Sequence, residues 1–419
     1  MSKFLLFFVL FLISINCSSI RGVNLGGWLL LEPWITPSLF DPFLSLPFSS
    51  RAIDEFTFNH RLGPIEAYRQ LDQHWRTFIQ ESDFKQIHDF GFSHVRIPFG
   101  WWIFGDSPSF VHNITYLDLA LEWANKYGLK VLLDLHGAPG SQNGFDNSGV
   151  ACNKTYFGFL GTGCGTDCQE TPDWSVNKLN LLLTQKILLK LAERYKSNPA
   201  IWGLGLVNEP LWGKETETVK QWYDETYNIL KLVVPEWKIV MDFSMISFPN
   251  VEPQPWPKDF MPNWRSYNNQ VILDHHIYLW PVVLDMTPEE ILDFSCGFLQ
   301  AFLYLNNQKE IPSIIGEWSL AIDDCAKWLT GLLSVPMKEK LMEKGCDRII
   351  QSMFFKEYAK NQLWMFEQTE GWFFWTYKNE FENEWSWVKL VENGWVPRDA
   401  REIAEFVKGS RCEKKKNDL

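Results

Sequence analysis

Residues 201–210 read IWGLGLVNEP, an apolar run that gives way in its last three places to an amide, a carboxylate and a proline. The run is short for a buried helix and suits a strand covered on both faces, because a parallel strand beneath crossover helices has no wet side. Seven other runs are built alike: 21–28 (RGVNLGGW), 94–100 (HVRIPFG), 130–137 (KVLLDLHG), 238–244 (KIVMDFS), 271–278 (VILDHHIY), 313–319 (SIIGEWS) and 371–377 (GWFFWTY). Amphipathic stretches of helical length separate them, among them 116–127, 179–195 and 219–232, the last with Trp222, Ile229 and Leu230 at helical spacing. Eight strand–helix units predict an α/β fold, a (β/α)8 TIM barrel with inserted loops on the catalytic face, where the strands end. Six runs finish in polar or ionisable residues: Arg96, His136, Asn208-Glu209, His276 with Tyr278, Glu317, and Thr376 after Trp375. Closing the barrel collects these groups at one mouth.

Length and composition fit that reading. A chain of 419 residues, at roughly 100–200 per domain, holds one large domain or two to three small ones. No low-complexity linker or repeat breaks residues 20–412, which are taken as one domain. Apolar residues at 46% and charged residues at 21% are globular proportions, which excludes disordered and fibrous classes. A net charge of -12 with no basic stripe excludes a nucleic-acid partner. The 32 Phe are explained by a core; the 22 Trp are less so, because each buried indole N–H needs an acceptor. Flat aromatic faces suit sugar rings and apolar ligands.

Residues 1–19 (MSKFLLFFVLFLISINCSS) have the form of a secretory signal peptide: Lys3, an unbroken apolar run from Phe4 to Ile13, then small residues. The run is too short to span a bilayer, so a secreted chain with no membrane association after signal removal is expected. Of eight cysteines, Cys17 leaves with the signal; Cys152, Cys164, Cys168, Cys296, Cys325, Cys346 and Cys412 remain. An oxidising compartment favours disulfides, and the odd number leaves one thiol over or paired between chains. Cys152 with Cys164 or Cys168 would staple the glycine-rich segment 151–169. Asn113 and Asn153 head glycosylation sequons. Residues 413–419 read as a charged, solvated tail.

Glu209 and Glu317, far apart in the chain, close two different strands. Two carboxyl groups facing each other across a barrel mouth are what cleavage of a glycosidic bond needs: one protonates the leaving oxygen, the other attacks or stabilises the anomeric centre. Arg96 can hold the attacking carboxylate ionised, and Tyr278 can donate to it. His276 lies on the same side of its strand, Asn208 has an amide suited to a sugar 2-hydroxyl, and Trp375 offers a ring face. Asp134-x-His136 and His275-His276 superficially suggest metal ligands, yet no third clustered motif accompanies them, so neither a metal nor another cofactor is expected. Glu209 should carry a raised pKa, from burial and the neighbouring negative charge, to act as an acid.

With these residues in place, the stretches RGVNLGGWLLLEPWITPSLF, HVRIPFGWW, DLHGAPGSQNGFDNSG, GLVNEP, DHHIY, GEWSLA and GWFFWTYK resemble glycoside hydrolase family 5, most closely its fungal-type secreted exo-β-1,3-glucanases. The resemblance covers nearly all of the chain beyond the signal. It implies Glu209 as acid/base and Glu317 as nucleophile, with Arg96, His136, Asn208, His276, Tyr278 and Trp375 completing the site. Glu32, Asp146 and Asn147 match positions that grip the terminal glucose, with Phe145 beside them. By the same likeness Cys296 pairs with Cys412 and Cys325 with Cys346. The chain departs from the family after Tyr278, where Trp280 is the candidate entrance aromatic, and in the inserted segment 151–169. The substrate implied is a β-glucan or other β-glucoside, cleaved by a monomer. β-1,6-glucanases, endo-glucanases, diglycosidases, a wall transglycosylase and a glucan-binding protein without turnover stay open at this level.

Overall fold

A computed structural model describes residues 20–47, 50–152, 171–211, 216–243, 270–307, 312–323, 325–329 and 351–417. Eight parallel strands close on themselves in chain order: β1 Ile20–Asn24, β2 His94–Gly100, β3 Lys130–Gly137, β4 Ile201–Gly205, β5 Lys238–Asp242, β6 Val271–Ile277, β7 Ser313–Trp318 and β8 Gly371–Phe374. The expected barrel is present. β2 and β3 have the expected bounds, and the other strands stop earlier than the ends of their runs.

The described crossovers run through α1 (Glu55–Phe78) and α2 (Glu81–Asp89) after β1, α3 (Thr115–Tyr127) after β2, and α4 (Lys178–Tyr195) after β3. They continue with α5 (Thr216–Lys231) after β4, α6 (Pro288–Asn307) after β6 and α7 (Ser352–Phe366) after β7; α8 (Arg411–Asn417) ends the described chain. α1 opens on a capping box between Asp54 and Thr57 and bends at Gly63 (φ 72°), where Pro64 bars the preceding residue from helical backbone. α5 corrects the sequence reading in one detail. Its buried stripe is Val219, Trp222, Tyr223, Thr226, Tyr227 and Leu230, whereas Ile229 sits just outside it and is 38% exposed.

The strands' outer faces pack against the helices in an aromatic-rich core. Trp318, Trp372, Phe374 and Trp387 meet there largely edge to face. Inside the barrel, at the end where the strands begin, Leu132, Val240, Ile272, Ile314 and Phe373 form a buried plug against Ile20 and Trp202. The Cys296–Cys412 disulfide expected from the resemblance joins α6 to α8. α8 continues through Cys412, and residues 413–417 of the charged end are helical. Cys325 is disulfide-bonded, and its expected partner Cys346 lies outside the described residues. Residues 1–19, Cys164, Cys168 and Asn153 also lie outside them. Cys152 is buried, and Asn113 is half-exposed just ahead of α3. Among the described residues, no helix is long and apolar enough to cross a membrane.

Candidate active site

Side chains alternate along a strand, so the inward positions above the plug follow two residues on. They are polar. Asp134 and His136 follow Leu132 on β3, Asp242 follows Val240 on β5, and Asp274 and His276 follow Ile272 on β6. β7 breaks the rule to good effect. Strict alternation would point Glu317 the same way as Ile315, into the helix-facing core. The register shifts instead: His275 pairs with Ile315 but His276 with Glu317, so Gly316 is the extra residue of a bulge and Glu317 turns to the mouth. Only glycine fits at the bulge, since a Cβ on Gly316 would lie 2.1 Å from Asp274 Oδ1.

Arg96, 1% exposed, is the hub. Nη1 donates to Glu317 Oε1 (2.8 Å) and Asn24 Oδ1 (3.0 Å), and Nη2 donates to Asn208 Oδ1 (2.8 Å) and lies 3.1 Å from Asp134 Oδ2. Asp134 also takes His136 Nδ1 (2.7 Å), and His136 Nε2 is 3.5 Å from the Asn208 amide. The Tyr278 hydroxyl donates to the second oxygen of Glu317 (2.8 Å). Thus both oxygens of Glu317 are held, by a guanidinium and a phenol.

Glu209 sits opposite, with φ 45°, a left-handed backbone that a non-glycine residue keeps only when its surroundings hold it. Asp242 does so by accepting the Glu209 N–H (2.6 Å). The Glu209 carboxylate meets His276 Nδ1 at 2.8 Å and the Asn147 amide at 3.0 Å. One oxygen each of Glu209 and Glu317 and one nitrogen of His276 lie within 4.8 Å of one another. Such spacing can bridge a cation, but Arg96 already brings a fixed positive charge to this cluster.

The protonation pattern differs from the sequence expectation. Burial pushes Glu209 up, but the hydrogen bond and charge of His276, with the Asn147 amide, outweigh it and bring the carboxyl below its ordinary value. Burial raises Glu317 despite the pull of His276 and Arg96. His276 is raised well above the usual imidazole value: burial opposes its charge, but Glu317, Asp242, Asp274 and Glu209 overcome it. Burial and the two carboxylates keep the Tyr278 phenol protonated. Glu209 and His276 therefore hold one proton between them across 2.8 Å, with the imidazole favoured when the site is empty of sugar.

Four mouth segments, after β1, β3, β6 and β8, bring the remaining expected residues. Glu32, after β1, accepts from Trp34 Nε1 (3.0 Å) and lies 3.9 Å from His136 Nε2. Its Oε1, and Oδ2 of Asp146 after β3, are buried without a hydrogen-bond partner among the described residues. Burial pushes Asp146 to about 7, and burial with Asp146 and Glu317 nearby raises Glu32 well above its ordinary value. Phe145 is half-buried against the main core. Trp375, 3% exposed, lies parallel to His136 at 5.3 Å between ring centroids. Trp280 and Tyr278 pack with Trp34, Trp375 and Trp385 in one aromatic cluster. All the candidate catalytic and substrate-binding residues thus meet at or beside one mouth. Asn24, Asp242, Asp274 and Gln142, which donates to the carbonyls of His136 and Asn208, join them without having been expected from the sequence. For the two aspartates a signal existed: a lone acid late in an otherwise apolar strand.

Comparison with known proteins agrees in kind. The family model described as Cellulase (glycosyl hydrolase family 5) matches residues 58–340. A protein of Blumeria graminis named glucan 1,3-beta-glucosidase is 34% identical, with 95% of this chain and 91% of that one covered. One of the same name from Schwanniomyces occidentalis is 33% identical, with 91% and 88% covered. Among solved structures, rutinosidase from Aspergillus niger superposes with a TM-score of 0.66 at 17% identity, over 90% of this chain and 97% of that one, a likeness of fold.

Proposed function

The chain belongs to glycosyl hydrolase family 5 and is a glycoside hydrolase of the glucan 1,3-β-glucosidase type; we propose that it releases glucose from the non-reducing end of β-1,3-glucan with retention of anomeric configuration. The carrying observation is that one oxygen of Glu209 and one of Glu317 lie within 4.8 Å of each other. Retention through a covalent intermediate goes with carboxyl groups about 5–5.5 Å apart, whereas inversion needs a wider gap to seat a water.

In this reading Glu317 is the nucleophile. Arg96 and Tyr278 hold its two oxygens, so its charge is aimed at the anomeric carbon. Glu209 is the acid/base. The proton shared with His276 passes to Glu209 as the sugar oxygen arrives, and from Glu209 to the leaving group. Among the neighbouring acids, Glu317 does most to keep His276 protonated. Forming the ester consumes that charge, so the imidazole becomes a weaker base after the first step. Glu209, now ionised, takes a proton from water, which attacks the ester and frees the sugar. Asn208 is locked by Arg96 through Oδ1, which orients its amide N–H toward the 2-hydroxyl. Glu32 Oε1 and Asp146 Oδ2, unpaired among the described residues, supply acceptors for the terminal sugar's hydroxyls. The acid–base inventory is complete without a cofactor, and the leader-like residues 1–19 support secretion.

NMR of the first sugar released tests the scheme: β-glucose is expected, and an α-anomer would overturn retention. With laminarin as substrate, a ladder of oligosaccharides in place of glucose would overturn the exo mode.

A further inference from the structure

Two consecutive carboxylates at the start of α1, Asp54 and Glu55, are 0% and 1% exposed and take no part in the chemistry above. One capping oxygen would serve the helix, and an uncharged serine or threonine could supply it. Asp54 does cap α1, its Oδ1 accepting the Thr57 N–H at 2.7 Å. Its other oxygen reaches a different part of the chain and accepts the Ala151 N–H at 2.6 Å, while Phe56 N–H donates to Gly149 O at 2.9 Å. Glu55 divides its oxygens likewise: Oε2 accepts the Leu31 N–H (2.7 Å) and Oε1 accepts Trp102 Nε1–H (3.0 Å). Burial pushes Asp54 to about 6 and Glu55 to about 8, so this arrangement carries a desolvation cost that a simple cap avoids.

The segments held are the two walls of the sugar pocket. Leu31 immediately precedes Glu32. Residues 149–151 close the turn that begins Asp146-Asn147, and Asn147 donates to Glu209. We propose that Asp54 and Glu55 are positioning residues, Glu55 setting Glu32 through Leu31 and Asp54 setting Asp146 and Asn147 through Ala151. The inference rests on the pocket assignment made under the proposed function. It gives the neighbouring acids different kinetic signatures, because one wall grips the sugar and the other also touches the acid/base.

The test uses three variants of the full chain. Glu55→Gln sets an amide N–H against one of two N–H donors; KM should rise about tenfold with kcat little changed, the scale for a binding group displaced by a fraction of an ångström. Asp54→Ser keeps a capping oxygen but cannot reach Ala151. It should lower kcat and, by loosening the Asn147 amide that holds Glu209 down, move the alkaline limb of kcat/KM to higher pH. Thr57→Val weakens the same capping box without touching either wall, and should lower the melting temperature while KM and the pH limb stay put. The inference is overturned if Asp54→Ser and Glu55→Gln change only melting temperature, as Thr57→Val does, or if their kinetic signatures coincide. Wild type that releases no glucose from β-1,3-linked oligosaccharides would instead overturn the substrate reading; the same three-way comparison is then made on an aryl β-glucoside.

Discussion

Leu132 and Asp134 stand two residues apart on β3, both inward and both buried, yet they belong to regions held together in opposite ways. The plug of Leu132, Val240, Ile272, Ile314 and Phe373 is held by apolar burial, a driving force that is non-directional and tolerant of detail. One step up, Asp134, Asp242, Asp274, Glu317 and Glu209 surround Arg96 and His276. Removing those charges from water is costly, and the layer persists because nearly every one has a partner at hydrogen-bond distance. The barrel thus gathers its stability at one end and concentrates strain at the other, on the same strands.

Substitutions should separate the two layers. The largest effect is expected from Glu317→Ala, which should lower kcat by about four orders of magnitude or more while the protein stays folded. Near-normal turnover with glucose release would break the assignment. Arg96→Met should damage both properties: activity falls about a hundred- to a thousandfold, and stability falls by about 3–5 kcal/mol because Glu317 and Asp134 keep buried charges without their partner. Kinetics together with urea unfolding checks it.

The pH dependence of stability is a smaller and sharper probe. Asp54, Glu55 and Asp146 titrate at about 6, 8 and 7 in the folded chain, all above the ordinary carboxyl value because burial disfavours the charge. The folded state then binds more protons than the unfolded one, so these groups favour folding at acid pH, and that contribution is lost as pH rises from about 4 through about 8. The melting temperature should be higher at pH 5 than at pH 8, and Asp146→Asn should flatten the difference. Least is expected from Ile314→Val in the plug: about 0.5–1.5 kcal/mol of stability, the same pH profile and unchanged kcat. A plug variant that shifted the pH profile would show that the two layers are not independent.

Much of this was legible in the residues. A strand buried on both faces must be nearly all apolar, so each of the eight runs stands out, and their polar ends name the mouth. The position of Glu317 was legible as a strand end, but its direction was not; alternation alone sends it outward, and the Gly316 bulge, imposed by pairing with β6, turns it in. Ile229 shows the same gap on a helix, where spacing locates a stripe but packing decides its edge. Asp54 and Glu55 were not legible as site residues, because nothing local says that their second oxygens reach Ala151 and Leu31.

By itself, the order of residues determined the barrel and most of the cast of its mouth, since burial on both faces constrains composition position by position. Which group holds the proton was decided only in three dimensions. Glu209 and His276 are 67 positions apart and meet at 2.8 Å, and a charge is governed by neighbours a few ångströms away, which the linear chain does not specify.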